Sequence, residues 1–245
     1  MSFAGKVVIV TGGATGIGLA TCRRFGAAGA CVVVADHKAD RGAVAVEQLR
    51  EAGVAEAMAA TCDVGVESDV ERAVDAAIAR YGRLDVVVNN AGIMIFKPIE
   101  EHSEADILNV LRVDFLGAFW FTKQAFLRCR PGASIVNVAS IHAIETTPLV
   151  AAYAAAKAAV LSLTRTAAME GQPKGIRANA VLPGAIETPM LRENPNVKSG
   201  AEVIAPADVG TPDDVAAAIA YLSSDDAGFV TGAELRVDGG RLARL

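Results

Sequence analysis

Three features of this chain predict an α/β fold with a doubly wound parallel sheet. Short unbroken runs of valine and isoleucine alternate with longer segments of helical composition along almost the whole length. The apolar runs lack polar alternation, which marks strands covered on both faces, as helices between successive parallel strands would cover them. A glycine cluster, Thr11-Gly12-Gly13-Ala14-Thr15-Gly16-Ile17-Gly18, sits at the first turn from strand to helix.

The first strand starts at Lys6 (KVVIVTGG), and the stretch from Gly16 to Gly29 is its helix. Ala30 to Asp36 (ACVVVAD) is the next strand, followed by a helix from Arg41 to Ala52 in which Val44, Val46 and Leu49 stand among charged residues. A weaker strand around Ala55 to Asp63 leads into a helix from Ser68 to Tyr81, whose Val70, Val74, Ala77 and Ile78 recur at three- and four-residue steps. Leu84 to Asn89 (LDVVVN) is a strand, about Glu104 to Cys129 a long helix, and Ala133 to Ser140 a strand. A helix from about Val150 to Gly171 and a strand from Arg177 to Leu182 come next. Pro183 to Gly210, rich in Pro, Asn and Gly, is the one long irregular stretch, and long loops in compact domains are usually functional. Thr211 to Ser223 reads as a final helix opened by Pro212 and acidic residues, and Ala233 to Val237 as the last strand. With no linker or low-complexity tract, residues 1–245 are expected to form a single domain.

Composition narrows the function classes. Of the 245 residues 52% are hydrophobic and 21% charged, which is ordinary soluble-protein chemistry. The 23 basic residues are outnumbered by 28 acidic ones, for a net charge of -5 and no basic stripe, so no nucleic-acid partner is expected. No apolar run is long enough to span a bilayer, and Met1 to Lys6 lacks the layout of a signal peptide; a cytoplasmic protein without a membrane partner is expected. Cys22, Cys31, Cys62 and Cys129 form no CxxC pair and have no histidine at ligand spacing, so reduced thiols and no metal are expected.

The glycine cluster permits tight turning and lets backbone N–H groups approach a pyrophosphate at a helix N-terminus. Taken alone it is also what a plain turn would look like. Asp36 adds context. It closes the second strand 18 residues beyond Gly18, where a carboxylate accepts hydrogen bonds from the adenosine ribose hydroxyls and repels a 2′-phosphate. Lys38 and Arg41 lie nearby but do not replace the acid, so NAD is favoured over NADP.

Together with Asn89-Asn90-Ala91-Gly92, Ser140, Tyr153-Ala154-Ala155-Ala156-Lys157, Pro183-Gly184 and Val237-Asp238-Gly239-Gly240, the opening TGGATGIG resembles a classical short-chain dehydrogenase/reductase. The resemblance covers essentially the whole chain, including the 13-residue step from Ser140 to Tyr153 and the four-residue step to Lys157. It implies a Rossmann-type sheet in which Gly12, Thr15, Gly16, Ile17 and Gly18 hold the cofactor phosphates. It further implies that Asp63 and Val64 flank the adenine, that Asn90, Ala91 and Gly92 border the ribose region, and that Pro183, Gly184, Ile186 and Thr188 surround the nicotinamide, the last two on its carboxamide. Apart from the resemblance, Asn89 and Asn90 read as turn formers and Pro183-Gly184 as a chain reversal.

Tyr153 and Lys157, four apart in an Ala-rich helical stretch, project from one face. An isolated pair of this kind is ordinarily an exposed amphipathic one, but beside Ser140 and the glycine cluster it suits a shared proton task. A phenol titrates near pH 10, and a neighbouring ammonium favours its ionised form. Tyr153 then takes the alcohol proton, Ser140 donates to the substrate oxygen, and Lys157 additionally holds the nicotinamide ribose. Within Val113-Asp114-Phe115-Leu116-Gly117, Asp114 stands where the family usually has an asparagine that retains a water next to the lysine. A carboxylate there is expected to hold the ammonium and weaken its effect on Tyr153, giving a higher pH optimum or a rearranged water chain.

Pro189 to Gly210 corresponds to the family's substrate-covering loop but specifies no ligand. His142, Ile144 and Glu145 are candidate pocket residues without assigned chemistry. The long helix is apolar on more than one face (Ile107, Leu108, Phe119, Trp120), and the resemblance implies a homotetramer paired through it. The expected function is hydride transfer between NAD(H) and a small-molecule secondary alcohol or ketone. The alternatives are an NADP-dependent reductase of carrier-bound 3-oxoacyl chains, or a catalytically impaired NAD-binding regulator.

Overall fold

Alternate residues of a fully buried strand must face two separate apolar layers, and β1 (Val7–Thr11) does so in the computed structural model, which describes residues 1–200 and 202–243. Val8 and Val10 belong to one core cluster with Phe25, Val32, Val34, Leu49 and Ile219. Val7 and Ile9 belong to another with Val33, Val70, Val74, Phe121 and Ile135. The chain runs β1, α1 (Gly16–Ala27), β2 (Cys31–Asp36), α2 (Ala39–Glu51), β3 (Ala57–Thr61), α3 (Glu67–Tyr81) and β4 (Val86–Asn89). It continues through α4 (Glu104–Val110), α5 (Gly117–Arg128), β5 (Ser134–Val138), α6 (Ala151–Gly171) and β6 (Arg177–Pro183). The last elements are α7 (Pro189–Glu193), α8 (Pro195–Lys198), α9 (Pro212–Ser223) and β7 (Glu234–Val237).

All seven strands pair in parallel in the order β3-β2-β1-β4-β5-β6-β7. The order reverses between β1 and β4, and this switch point opens a crevice beyond the strands' carboxyl ends, where ligands bind in such sheets. Local signals set the helix ends. Capping boxes start α4 (Ser103 with Asp106) and α9 (Thr211 with Asp214), the latter with Pro212 in its first turn. Gly82, at φ 77°, stops α3 in the left-handed conformation. Among the described residues no helix is long and apolar enough to cross a membrane, and no His/Cys/Asp/Glu group has the arrangement of a metal site.

Two expectations need correction. The helix expected from Glu104 to Cys129 is interrupted by a π-helical segment, Leu111–Leu116, between α4 and α5. One extra residue per turn rotates the apolar stripe, which is why the sequence is apolar on more than one face there. The stretch from Pro183 to Gly210 is not wholly irregular, because Pro189, Pro195 and Pro206 open short helical turns. A proline that breaks a helix interior costs nothing in the first turn, where its missing N–H has no partner.

Candidate active site

A cleft of about 500 Å³ lies over the switch point. The β1–α1 loop forms its floor, with Gly12 and Gly16 at φ 59° and 53°, backbone that side-chain-bearing residues rarely adopt. Gly12, Thr15, Gly16 and Ile17 line the cleft. Gly18 stands just behind them, buried in the first turn of α1. A Cβ on Gly18 would lie 2.2 Å from the Gly12 carbonyl oxygen, so this glycine lets α1 pack onto the loop. No side chain caps the first turn of α1 and no acidic residue stands in it, so its N–H donors face the cleft without a competing anion.

The loop is stitched to the end of β4. Asn90 Nδ2 donates to the carbonyls of Thr11 (2.9 Å) and Gly12 (3.2 Å), while Thr11 Oγ1 accepts from the N–H groups of Asn90 and Ala91, each at 2.9 Å. The side chain of Asn90 therefore shapes the cradle, and the backbone of residues 90–92 forms the wall.

At the end of β2, buried Asp36 accepts from the Lys38 N–H at 3.1 Å, with Arg41 Nη2 3.9 Å from its other oxygen and His37 Nδ1 3.5 Å from the first. Asp63 and buried Val64 follow β3. Asp63 Oδ1 accepts from the Gly65 N–H at 2.9 Å, and Arg112 Nη2 lies 3.3 Å from Oδ2. On the opposite side Gly184 donates to the Val237 carbonyl at 2.9 Å, and a Cβ there would lie 2.8 Å from the Asp238 backbone. The Val237-Asp238-Gly239-Gly240 motif thus packs under Pro183-Gly184. Ile186 bridges to Gly210, and Thr188 Oγ1 caps α7 by accepting from Leu191 at 3.4 Å.

Ser140 stands two residues beyond the end of β5. Its Oγ accepts from the His142 N–H at 3.1 Å, which leaves the hydroxyl proton for another acceptor. Tyr153 and Lys157 are both buried on one face of α6, with Lys157 Nζ 5.5 Å from the centre of the Tyr153 ring. The same nitrogen donates to the Val138 carbonyl at 3.1 Å and lies 3.3 Å from Asp114 Oδ2. Asp114 Oδ1 accepts from the Ile93 N–H at 2.8 Å. Ser140, Tyr153 and Lys157 line the cleft, but Asp114 lies behind it in the π-helical segment. Gly92 lies against the pair: a Cβ on it would stand 3.0 Å from Asp114 Oδ2 and 3.2 Å from Lys157 Nζ.

The electrostatics follow from burial and these neighbours. Burial pushes the Tyr153 phenol above its ordinary value; Lys157 pulls it back, Asp114 adds to the rise, and a hydrogen bond with Ser140 lowers it. Burial also acts to lower the Lys157 ammonium, yet Asp114 and Tyr153 outweigh it and hold the ammonium above the usual lysine range. Asp114 is itself raised by burial, against the pull of Lys157 and the Ile93 N–H. The raised ammonium and the 3.3 Å contact fit an ion pair, which the pull of Lys157 on Asp114 favours and burial of the carboxyl opposes.

The cleft is also lined by residues that no motif announces: Met94, Asn194, Glu202 and Arg241 join His142, Met190 and Leu191. Ile144 and Glu145 are exposed and do not line the cleft, contrary to expectation. The run that follows Ser140 is a 3-10 turn, Ile141–Ala143, and only its first residues face inward.

A family model described as enoyl-(acyl carrier protein) reductase matches residues 12–241. The 3beta-hydroxysteroid dehydrogenase 1 of Eggerthella lenta is 42% identical over 244 residues, covering 96% of this chain and 93% of its own. Cyclopentanol dehydrogenase of Comamonas testosteroni is 37% identical over 244 residues, covering 97% of both chains. Among solved structures, levodione reductase superposes with a TM-score of 0.92 at 34% identity, covering 99% of this chain and all of the other (100%). A dehydrogenase/reductase from Sinorhizobium meliloti 1021 gives a TM-score of 0.91 at 35% identity, over 98% of this chain and 96% of that one.

Proposed function

The chain belongs to the short-chain dehydrogenase/reductase family, and from that premise we propose that it is an NAD-dependent oxidoreductase interconverting a secondary alcohol and its ketone. The observation that carries this reading is the convergence of Ser140, Tyr153 and Lys157 on a cleft whose floor is the glycine loop. Its relatives of similar length are named for alcohol and ketone substrates.

A nicotinamide dinucleotide fits the residues present. The uncapped, acid-free N-terminus of α1 and the cleft-lining backbone of Gly12 and Gly16 suit a pyrophosphate. Asp36 is the acceptor for the adenosine ribose hydroxyls and a like charge against a 2′-phosphate, so NAD is the proposed cofactor. Asp63 and Val64 flank the adenine, Asn90 to Gly92 the ribose region, and Pro183, Gly184, Ile186 and Thr188 the nicotinamide end. When bound, this group supplies the hydride acceptor for oxidation and the donor for reduction.

Ser140, whose Oγ accepts from the His142 N–H, donates to the substrate oxygen and orients it. Tyr153 Oη, as phenolate, removes the hydroxyl proton during oxidation and returns it during reduction. The Lys157 ammonium stabilises that phenolate and would hold the cofactor ribose. Asp114 touches neither substrate nor cofactor; it is a positioning residue that fixes Lys157 through a buried ion pair and raises the proton affinity of Tyr153. The exposed Ile107, Leu108, Phe119 and Leu127 along α4 and α5 support a homotetramer, which light scattering tests.

The test of function is a panel of secondary alcohols and ketones, with a 3-oxoacyl thioester included, run with NAD(H) and NADP(H). Tyr153→Phe is expected to lower kcat by about 100-fold or more while NADH binding, read by fluorescence, persists. Binding without turnover across the panel would instead indicate a regulator, and a preference for the thioester with NADPH a carrier-dependent reductase.

A further inference from the structure

Building on the oxidoreductase reading, we infer that Asn196, in the substrate-covering segment, is a positioning residue for Tyr153. By holding the Pro148 carbonyl it keeps Leu149 in a left-handed backbone conformation, and through Leu149 it sets the entry of the catalytic helix α6.

Leu149, at φ 71°, is the one non-glycine residue with positive φ among the described residues. Pro148 and Leu149 are the central pair of a turn, and where positive φ follows a proline the second place ordinarily belongs to glycine or asparagine. A leucine there brings its Cβ against the backbone, so the conformation persists only where the surroundings impose it. Its own side chain does not impose it, being only partly buried and outside the core clusters. Backbone contacts on either side do. The Leu149 carbonyl accepts from the Lys97 N–H at 3.0 Å, and the Pro148 carbonyl accepts from Asn196 Nδ2 at 3.0 Å.

Asn196 is held firmly enough for that task. It is 6% exposed, its N–H donates to Asn194 Oδ1 at 2.9 Å, and its carbonyl accepts from the Glu202 N–H at 2.9 Å. Glu202 is fastened in turn by Arg241 Nη2 at 2.6 Å, so the segment stays tied when the Pro148 contact alone is removed. Met190, Leu191 and Asn194 of the same segment line the cleft, whereas Asn196 does not. Its side chain therefore acts on Pro148 and not on a substrate.

The consequence falls on the catalytic phenol. The Val150 carbonyl already accepts from the Ala154 N–H at 2.9 Å, so α6 begins directly after Leu149 and Tyr153 stands in its first turn. Relaxation of Leu149 to an ordinary φ re-aims that turn against Ser140, which is carried by the end of β5 and not by α6. A substrate that seats the covering segment thereby also seats Tyr153.

Asn196→Leu removes the donor and adds no charge. It is expected to lower kcat for alcohol oxidation by about tenfold or more while NADH affinity, read by fluorescence, is unchanged. Leu149→Gly takes positive φ without steric cost, and added to Asn196→Leu it is expected to recover about fivefold or more of that loss. Leu149→Val, whose branched side chain resists positive φ, is expected to lower kcat by about fivefold or more with Asn196 intact. Ultraviolet difference titration of the phenols, with Tyr153→Phe as the blank, reads the displacement without turnover. Loss of the Ser140 hydrogen bond moves Tyr153 ionisation toward alkali in Asn196→Leu and in Leu149→Val, and Leu149→Gly moves it back in the double variant. An unmoved kcat and titration in Asn196→Leu overturns the inference, as does a double variant no better than Asn196→Leu, which would mean that the segment acts on the substrate alone. If Asn196→Leu does not fold, Leu149→Val decides, and its equality with the unaltered protein in both readouts is the refuting result. Absence of turnover in the unaltered protein sinks the dehydrogenase reading instead, and the titration still decides the link.

Discussion

Replacing Asp114 by Asn removes one buried negative charge and keeps the side chain's outline, with an oxygen for the Ile93 N–H. Asp114 Oδ2 is 3.3 Å from Lys157 Nζ, and that nitrogen is 5.5 Å from the Tyr153 ring centre, so the carboxylate stands within about 9 Å of the ring. Two unit charges at that separation interact by about 1.8 kcal/mol at an effective dielectric of about 20. The carboxylate opposes phenolate formation, so its removal makes phenolate available at lower pH. The limb of kcat that rises with pH in alcohol oxidation is therefore expected to move toward acid by about one pH unit in Asp114→Asn. Initial rates at saturating alcohol and NAD, from neutral to strongly alkaline buffer, measure it. An unmoved limb, or one displaced to the alkaline side, refutes the reasoning, the second because it would mean that Lys157 loses its own proton once unpaired. Stability gives an independent reading. Deleting one partner of a buried ion pair costs about 3–5 kcal/mol, so Asp114→Ala should lower Tm by roughly 10 °C, and Asp114→Asn by less.

Asp36→Ser removes the like charge that faces a 2′-phosphate and leaves Arg41 nearby, so the NAD to NADP ratio of kcat/KM should fall by about 100-fold or more; a change under about tenfold would remove Asp36 as the selector. Gly18→Ala places a Cβ 2.2 Å from the Gly12 carbonyl and is expected to abolish NADH binding by fluorescence, although Gly18 itself does not line the cleft. Gly82→Ala, at φ 77° with open space around it, should cost about 1–2 kcal/mol in denaturant unfolding and leave NADH affinity unchanged.

Much of the architecture was legible because it rests on local chemistry. The valine-rich runs could be strands only if both faces were covered, and Val8 and Val10 do face one layer while Val7 and Ile9 face the other. Thr211 and Pro212 announced the start of α9, which they cap. The interruption of the long helix was not legible, since a π-helical turn has no composition of its own and depends on how α4 and α5 pack against α6. Glycine at position 18 signals close approach without naming what approaches, and only the packed structure shows the loop's own carbonyl against it.

The same division holds at the site. Order and spacing in the chain determined that Ser140, Tyr153 and Lys157 belong together, because four residues of helix place the last two on one face whatever surrounds them. They also marked Asp114 as a departure. Only the tertiary structure decided that Asp114 contacts Lys157 beside Gly92, and that Glu202 and Arg241, 39 residues apart, pair in the cleft lining. Periodicity along one segment is a local property of the backbone, whereas which buried charge meets which depends on separate segments being brought together by the packed sheet and its covers.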